Sequence, residues 1–192
     1  MLPMIKKPKE VTEARYMKGA PREYRFSADV GKFYTQRKSK ELGSEITVVP
    51  IMVNAFNAPA DFMGNESYSG RPFVQLFFLN QKGSVCSLMF HSASARSFTT
   101  VAQDAFYDNL EITFNQLHMK AVKVSSKGGR EYYKLEFELK ALDAKDSSEI
   151  QDLCADILDG ELFSLRTAHL TMVDLSGLNM SVPQLEAPDD SE

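Results

Sequence analysis

The sequence predicts a mainly β domain with short helices, built as a five-stranded barrel between an N-terminal arm and an acidic C-terminal segment. Three observations predict it. Several runs are rich in β-branched and aromatic residues, short glycine-bearing turns separate pairs of those runs, and one segment alone changes its apolar spacing from strand to helix period. With 192 residues, 43% hydrophobic and 25% charged, the chain fits one domain with appended segments.

Residues 1–29 mix Pro3, Pro8, Pro21 and Gly19 with many charges and few apolar positions. They read as a flexible basic arm with a short helix at Lys9–Lys18. The barrel is expected over 30–173, opening with a strand at Gly31–Thr35 and a polar turn at Gln36–Lys40. Glu45–Phe56, EITVVPIMVNAF, is too apolar for a surface helix and reads as a strand. Pro50 within it implies an edge position or a bulge, where a missing N–H is tolerated. Residues 57–71 hold glycines, a proline and Asn/Ser residues and form a loop. Pro72–Leu79 and Ser84–His91 pair as a hairpin across Asn80–Gly83.

From Ser94 to Phe106, Phe98, Val101, Ala102, Ala105 and Phe106 recur at helical spacing and predict about three turns. A second hairpin follows, its arms ending in LHMKAVKVS and beginning with EYYKLEFEL, around a Gly128-Gly129 turn that supplies positive φ. Ser147–Leu158 reads as a helix with an incomplete capping box, since Ile150 stands where Glu or Gln is wanted. Residues 161–173 fit helix or strand, and 174–192 form an acidic tail. About five strands with a helix between the third and fourth is the layout of an OB-fold-like barrel; a generic α+β sandwich gives a similar string.

Composition excludes several classes. No run of about 18 apolar residues spans a membrane, and MLPMIKKPKE lacks the apolar stretch of a signal peptide. Cys86 and Cys154 have no CxxC spacing and the three histidines lie far apart, so neither a disulfide framework nor a zinc site is expected. The reducing cytoplasm is the expected compartment. The net charge of -4 hides a gradient: +5 over residues 1–45, +1 over 46–140 and -10 over 141–192. A basic front and an acidic back suit a polyanion partner or a mutual shield, and equally two solvated ends.

No catalytic signature is present, so the chain is not expected to be an enzyme, and no cofactor is implied. His91 and Ser92 are strand neighbours expected to point to opposite faces, not to form a dyad. Cys86 sits in a strand as a buried thiol. Gly128-Gly129 lacks the context of a phosphate loop. Single-strand binders combine cations for phosphates with aromatic faces for bases, and three segments interleave these types. The first holds Lys32 and Tyr34, then Arg37, Lys38 and Lys40. The second follows Phe90-His91 with Arg96 and Phe98. The third is the hairpin with Lys120, Lys123, Lys127, Arg130 and Tyr132, where the lysines are expected to share one face with Tyr132. Against this, Phe33, Phe90 and Phe98 fit the core, and the lysines fit a solvated hairpin edge.

The Gly31-Lys32-Phe33-Tyr34 opening, the Leu42-Gly43 step before Ile46–Val53, and the Val85–Phe90 and Tyr132–Leu139 strands resemble the layout of phage-encoded single-stranded DNA-binding proteins. The acidic end, Glu186–Glu192, is similar in character to their tails. The resemblance spans roughly residues 30–192 and implies a barrel that holds single-stranded DNA during replication or recombination, with a tail that recruits partner proteins. Two departures stand out: the chain has no Trp to stack on bases, and its tail lacks an apolar tip. The sequence thus points to a sequence-tolerant single-stranded DNA-binding protein, with homo-oligomerisation left open. A β-rich assembly protein such as a virion component is the alternative.

Overall fold

The computed structural model describes residues 21–35, 40–80, 82–126 and 128–159. The strands are β1 (Arg22–Ser27), β2 (Lys32–Thr35), β3 (Lys40–Gly43), β4 (Glu45–Asn57), β5 (Pro72–Leu79), β6 (Val85–His91), β7 (Gln116–Ser125) and β8 (Glu131–Lys140). Helix α1 (Ala93–Tyr107) follows β6 and helix α2 (Ala144–Asp159) follows β8. The strands form one sheet in the order β3-β2-β1-β6-β5-β4-β7-β8. Every pairing is antiparallel except β1 with β6.

The sheet is curled into a half-barrel. Its far members meet where the Tyr133 N–H of β8 donates to the Ala28 carbonyl in the β1–β2 turn at 2.7 Å. β3 passes into β4 across Ser44, whose carbonyl accepts from the Ala121 N–H of β7 at 2.9 Å. The fold is mainly β, as the alternation predicts, but the described residues form eight strands where five were expected. The extra pieces are short and polar. β1, REYRFS, lies in the stretch read as arm: Tyr24 and Phe26 lean on the core, while Arg22 and Arg25 stay exposed. Its strand character comes from pairing with β2 and β6, not from its own composition.

Pro50 is internal, since β4 lies between β5 and β7. The β4–β5 ladder slips between Pro50 and Met52, so the bulge accommodates the missing donor. The freed Pro50 carbonyl takes the Phe114 N–H at 2.8 Å.

Alternation along the central strands sends Val53, Leu76, Leu88, Leu117, Met119 and Leu135 to one face, where α1 covers them. The opposite face carries a second cluster, in which Cys154 and Ile150 of α2 pack on Ile51, Phe77, Val85 and Phe114. Burial pushes the Cys86 thiol up to about 11 and that of Cys154 up to about 12. α1 agrees with its predicted span within a residue at each end. α2 begins three residues before the expected Ser147 because Asp143 is the cap: its Oδ1 accepts from the Asp146 N–H at 2.7 Å. No helix among the described residues is long and apolar enough to cross a membrane. The predicted arm helix at Lys9–Lys18, the 161–173 segment and the acidic tail lie outside the described residues.

Candidate nucleic-acid interface

The face opposite α1 gathers side chains from β4, β5 and β6 in cross-strand rows. One row runs Phe56, Phe73, His91 and the next runs Asn54, Gln75, Met89. Loop 58–71 folds over the aromatic row. Phe62 meets Phe56 and Phe73 edge-on, with ring centroids 5.4 and 5.0 Å apart, and Tyr68 meets Phe73 and His91 at 5.5 and 5.2 Å. The Arg71 guanidinium stands 5.9 Å over the Tyr68 ring, a cation–π arrangement. Phe73 is buried, while Tyr68 and His91 are half-buried. Burial, with the charge of Arg71 beside it, lowers the His91 pKa.

His91 and Ser92 do meet, against expectation: His91 Nδ1 lies 2.8 Å from Ser92 Oγ. The alternation argument fails because the strand ends at His91. Ser92 sits at φ 55, ψ -120, which turns its side chain back toward the imidazole and away from capping α1. Among the described residues no group of three His, Cys, Asp or Glu side chains is placed to hold a metal ion.

The face continues onto the first three strands. Arg25 of β1 stands directly opposite Tyr34 of β2, and Tyr34 opposite Glu41 of β3. Lys32 lies on the same face by alternation and binds the Glu41 carboxylate at 2.5 Å, which raises the lysine pKa. Tyr34 is half-buried, and Lys40 is exposed at the start of β3. Lys32, Tyr34 and Lys40 are thereby brought together, with Arg25 as a member the sequence reading did not single out. Arg37, Lys38 and Lys127 lie outside the described residues.

The other candidates scatter. Phe98 is 1% exposed, wedged against Phe90 and Phe137, so it is a core residue with no face to offer a base. Arg96 is exposed on α1, which covers the opposite face of the sheet. Lys120 and Tyr132 share a face of the β7–β8 hairpin, as expected, with Lys120 exposed between Glu45 and Glu136 on its neighbours. Lys123 does not join them, because three residues along a strand is an odd step and reverses the face. It binds Glu131 at 2.5 Å, which raises its pKa, and Arg130 pairs with Asp29 at 3.4 Å.

Asn54, Gln75, Tyr68, Arg71 and Phe73 were not singled out from sequence. A signal was present for two of them: Asn54 and Gln75 are isolated polar residues inside VPIMVNAF and PFVQLFFL. No protein-family model, curated protein or solved structure matches this chain.

Proposed function

We propose that the chain binds single-stranded DNA in a largely sequence-tolerant way, sequestering it during replication or recombination without acting chemically on it. The observation that carries the reading is the five-strand unit β6-β5-β4-β7-β8 with α1 inserted between β6 and β7. Numbered from β4, that is the order third, second, first, fourth, fifth, with the helix after the third strand; the order supports an OB-like reading, while the outer edge of β6 pairs with β1 and not with β8. Such barrels take oligonucleotides over strands two and three and the loops after strands one and four. Here those parts are β5, β6, loop 58–71 and the turn at 126–130. Strands β1 and β2 widen the same face with Arg25, Lys32 and Tyr34. Stacking on Tyr34, Tyr68 or Tyr132, and phosphate neutralisation by Arg25, Arg71, Lys40 and Lys120, supply the two attractions such binding needs.

One observation favours the alternative, a β-rich assembly protein. Arg25, Lys32, Lys123 and Arg130 already hold carboxylates, which leaves fewer cations for phosphates. Fluorescence anisotropy with a labelled oligo-dT at low and moderate salt separates the two. Single-strand binding gives an affinity that falls linearly on a log–log plot, with a slope of about -0.7 per phosphate contact. Absence of binding at low salt overturns the proposal and favours the assembly protein.

A further inference from the structure

Among the described residues, three buried side-chain atoms have no hydrogen-bond partner: Asn54 Nδ2, Asn54 Oδ1 and Gln75 Oε1. Asn54 is 1% exposed. The two residues are direct cross-strand partners on β4 and β5, where opposed β-carbons stand about 4.5–5.5 Å apart. They do not bond each other. On either side their row is bounded by apolar ones, Phe56 with Phe73 and Met52 with Phe77. Buried polar groups are almost always satisfied, so these unpartnered atoms between apolar rows mark a place that a polar ligand completes.

We infer that Asn54 and Gln75 form a subsite for one guanine base within the strand-binding face, an inference that rests on the single-strand reading above. The unpartnered atoms present one donor and two acceptors. A complementary planar edge must present one acceptor and two donors, and the pairing edge of guanine does so through O6, N1–H and the N2 amino group. Thymine offers two acceptors and one donor, which sets a carbonyl against a carbonyl. Cytosine makes the same mismatch, with N3 and O2 as acceptors beside one amino group. Adenine has one donor group and one acceptor on that edge and leaves an amide oxygen unpaired. Loop 58–71 covers the adjoining Phe56–Phe73 row, and its backbone hydrogen bonds among the described residues are made within the loop itself, such as Ala58 N–H to the Arg71 carbonyl at 2.9 Å and Gly70 N–H to the Ala58 carbonyl at 2.8 Å. Ring contacts hold it to the sheet, so lifting it costs no hydrogen bond to β5 or β6.

The test uses the full chain and a labelled oligo-dT carrying one central dG, dI, dA or dC. Inosine is guanine without the N2 amino group, so it needs no protein variant to isolate one contact. The dG strand is expected to bind about tenfold more tightly than the others, with dI losing most of that advantage. Asn54→Leu and Gln75→Leu should each bring the ratio of dG-strand to dI-strand affinity to about one. Asn54→Leu should also melt at a higher temperature, since it removes two unpartnered polar atoms from an apolar setting. Equal binding of dG and dI, or a dG preference that survives both substitutions, overturns the guanine subsite alone. Failure of every strand to bind at low salt overturns the single-strand reading and the subsite with it.

Discussion

The ring of Tyr133 lies against the α-carbon of Gly31: a β-carbon on Gly31 would stand 2.5 Å from Tyr133 Cδ1. Gly31 also has φ +67, which side-chain-bearing residues rarely adopt. This contact, beside the Tyr133 to Ala28 hydrogen bond, joins the β1–β2 turn to β8 and brings together strands that are distant in the sheet order. Gly31→Ala is therefore expected to destabilise the fold by about 2–4 kcal/mol, combining overpacking with backbone strain. Urea unfolding measures it, and an unchanged midpoint would show that the two elements are not packed together.

Phe98 and Tyr34 should behave as opposites. Phe98→Ala empties a core position between Phe90 and Phe137 and should cost about 3–5 kcal/mol of stability. Tyr34→Ala, on the half-buried outer face, should weaken oligonucleotide binding by about 1–3 kcal/mol with little change in melting temperature. Thermal melts and anisotropy titrations on both variants decide this. A stable Phe98→Ala protein with impaired binding would reverse the assignment.

Removing a carboxylate should strengthen binding where it holds a cation. Glu41→Gln frees Lys32 beside Tyr34, and about a two- to fivefold gain in oligo-dT affinity is expected, the range of an exposed ion pair. The gain should shrink as salt rises, because exposed charges are screened. Both partners are exposed, with side-chain exposures of 43% and 47%, so the unfolding midpoint should scarcely move. Unaltered affinity at low salt would remove Lys32 from the interface.

His91 gives the fold a pH dependence of known sign. Burial and Arg71 lower its folded pKa below the ordinary value of 6.5. As pH falls below that value the unfolded chain takes up the proton first, so stability is fully present above about pH 6.5 and is lost as pH drops toward the folded pKa. His91→Gln should flatten this part of the stability–pH curve. Denaturant midpoints between pH 7.5 and 5 measure the slope, and an identical slope in the variant would assign it to other groups.

Much of the framework was legible in the residues themselves. The β5–β6 and β7–β8 hairpins, α1 and the bulge at Pro50 follow from local rules: period-two or period-3.6 burial, glycine at positive φ, and a residue without an N–H. The basic arm's last residues misled because Tyr24 and Phe26 alone are too few to announce a strand; β1 exists because β2 and β6 offer it ladders. Tyr34 was visible as an aromatic among cations. Its neighbour Arg25 was not, because the two are nine residues apart and meet only through register.

Sequence by itself determined the alternation, and therefore which residues could share a face, along with the charge gradient from front to back. Tertiary structure decided which of those faces exist and what occupies them. Phe98 became core because α1 lies on the inner face. Lys32, Lys123 and Arg130 became ion-paired because carboxylates distant in sequence, or on the neighbouring strand, came within reach. Asn54 and Gln75 became an unpartnered pair because β4 and β5 align them and apolar rows close around them. Each of these outcomes depends on distances between strands, and a linear pattern of residues does not contain them.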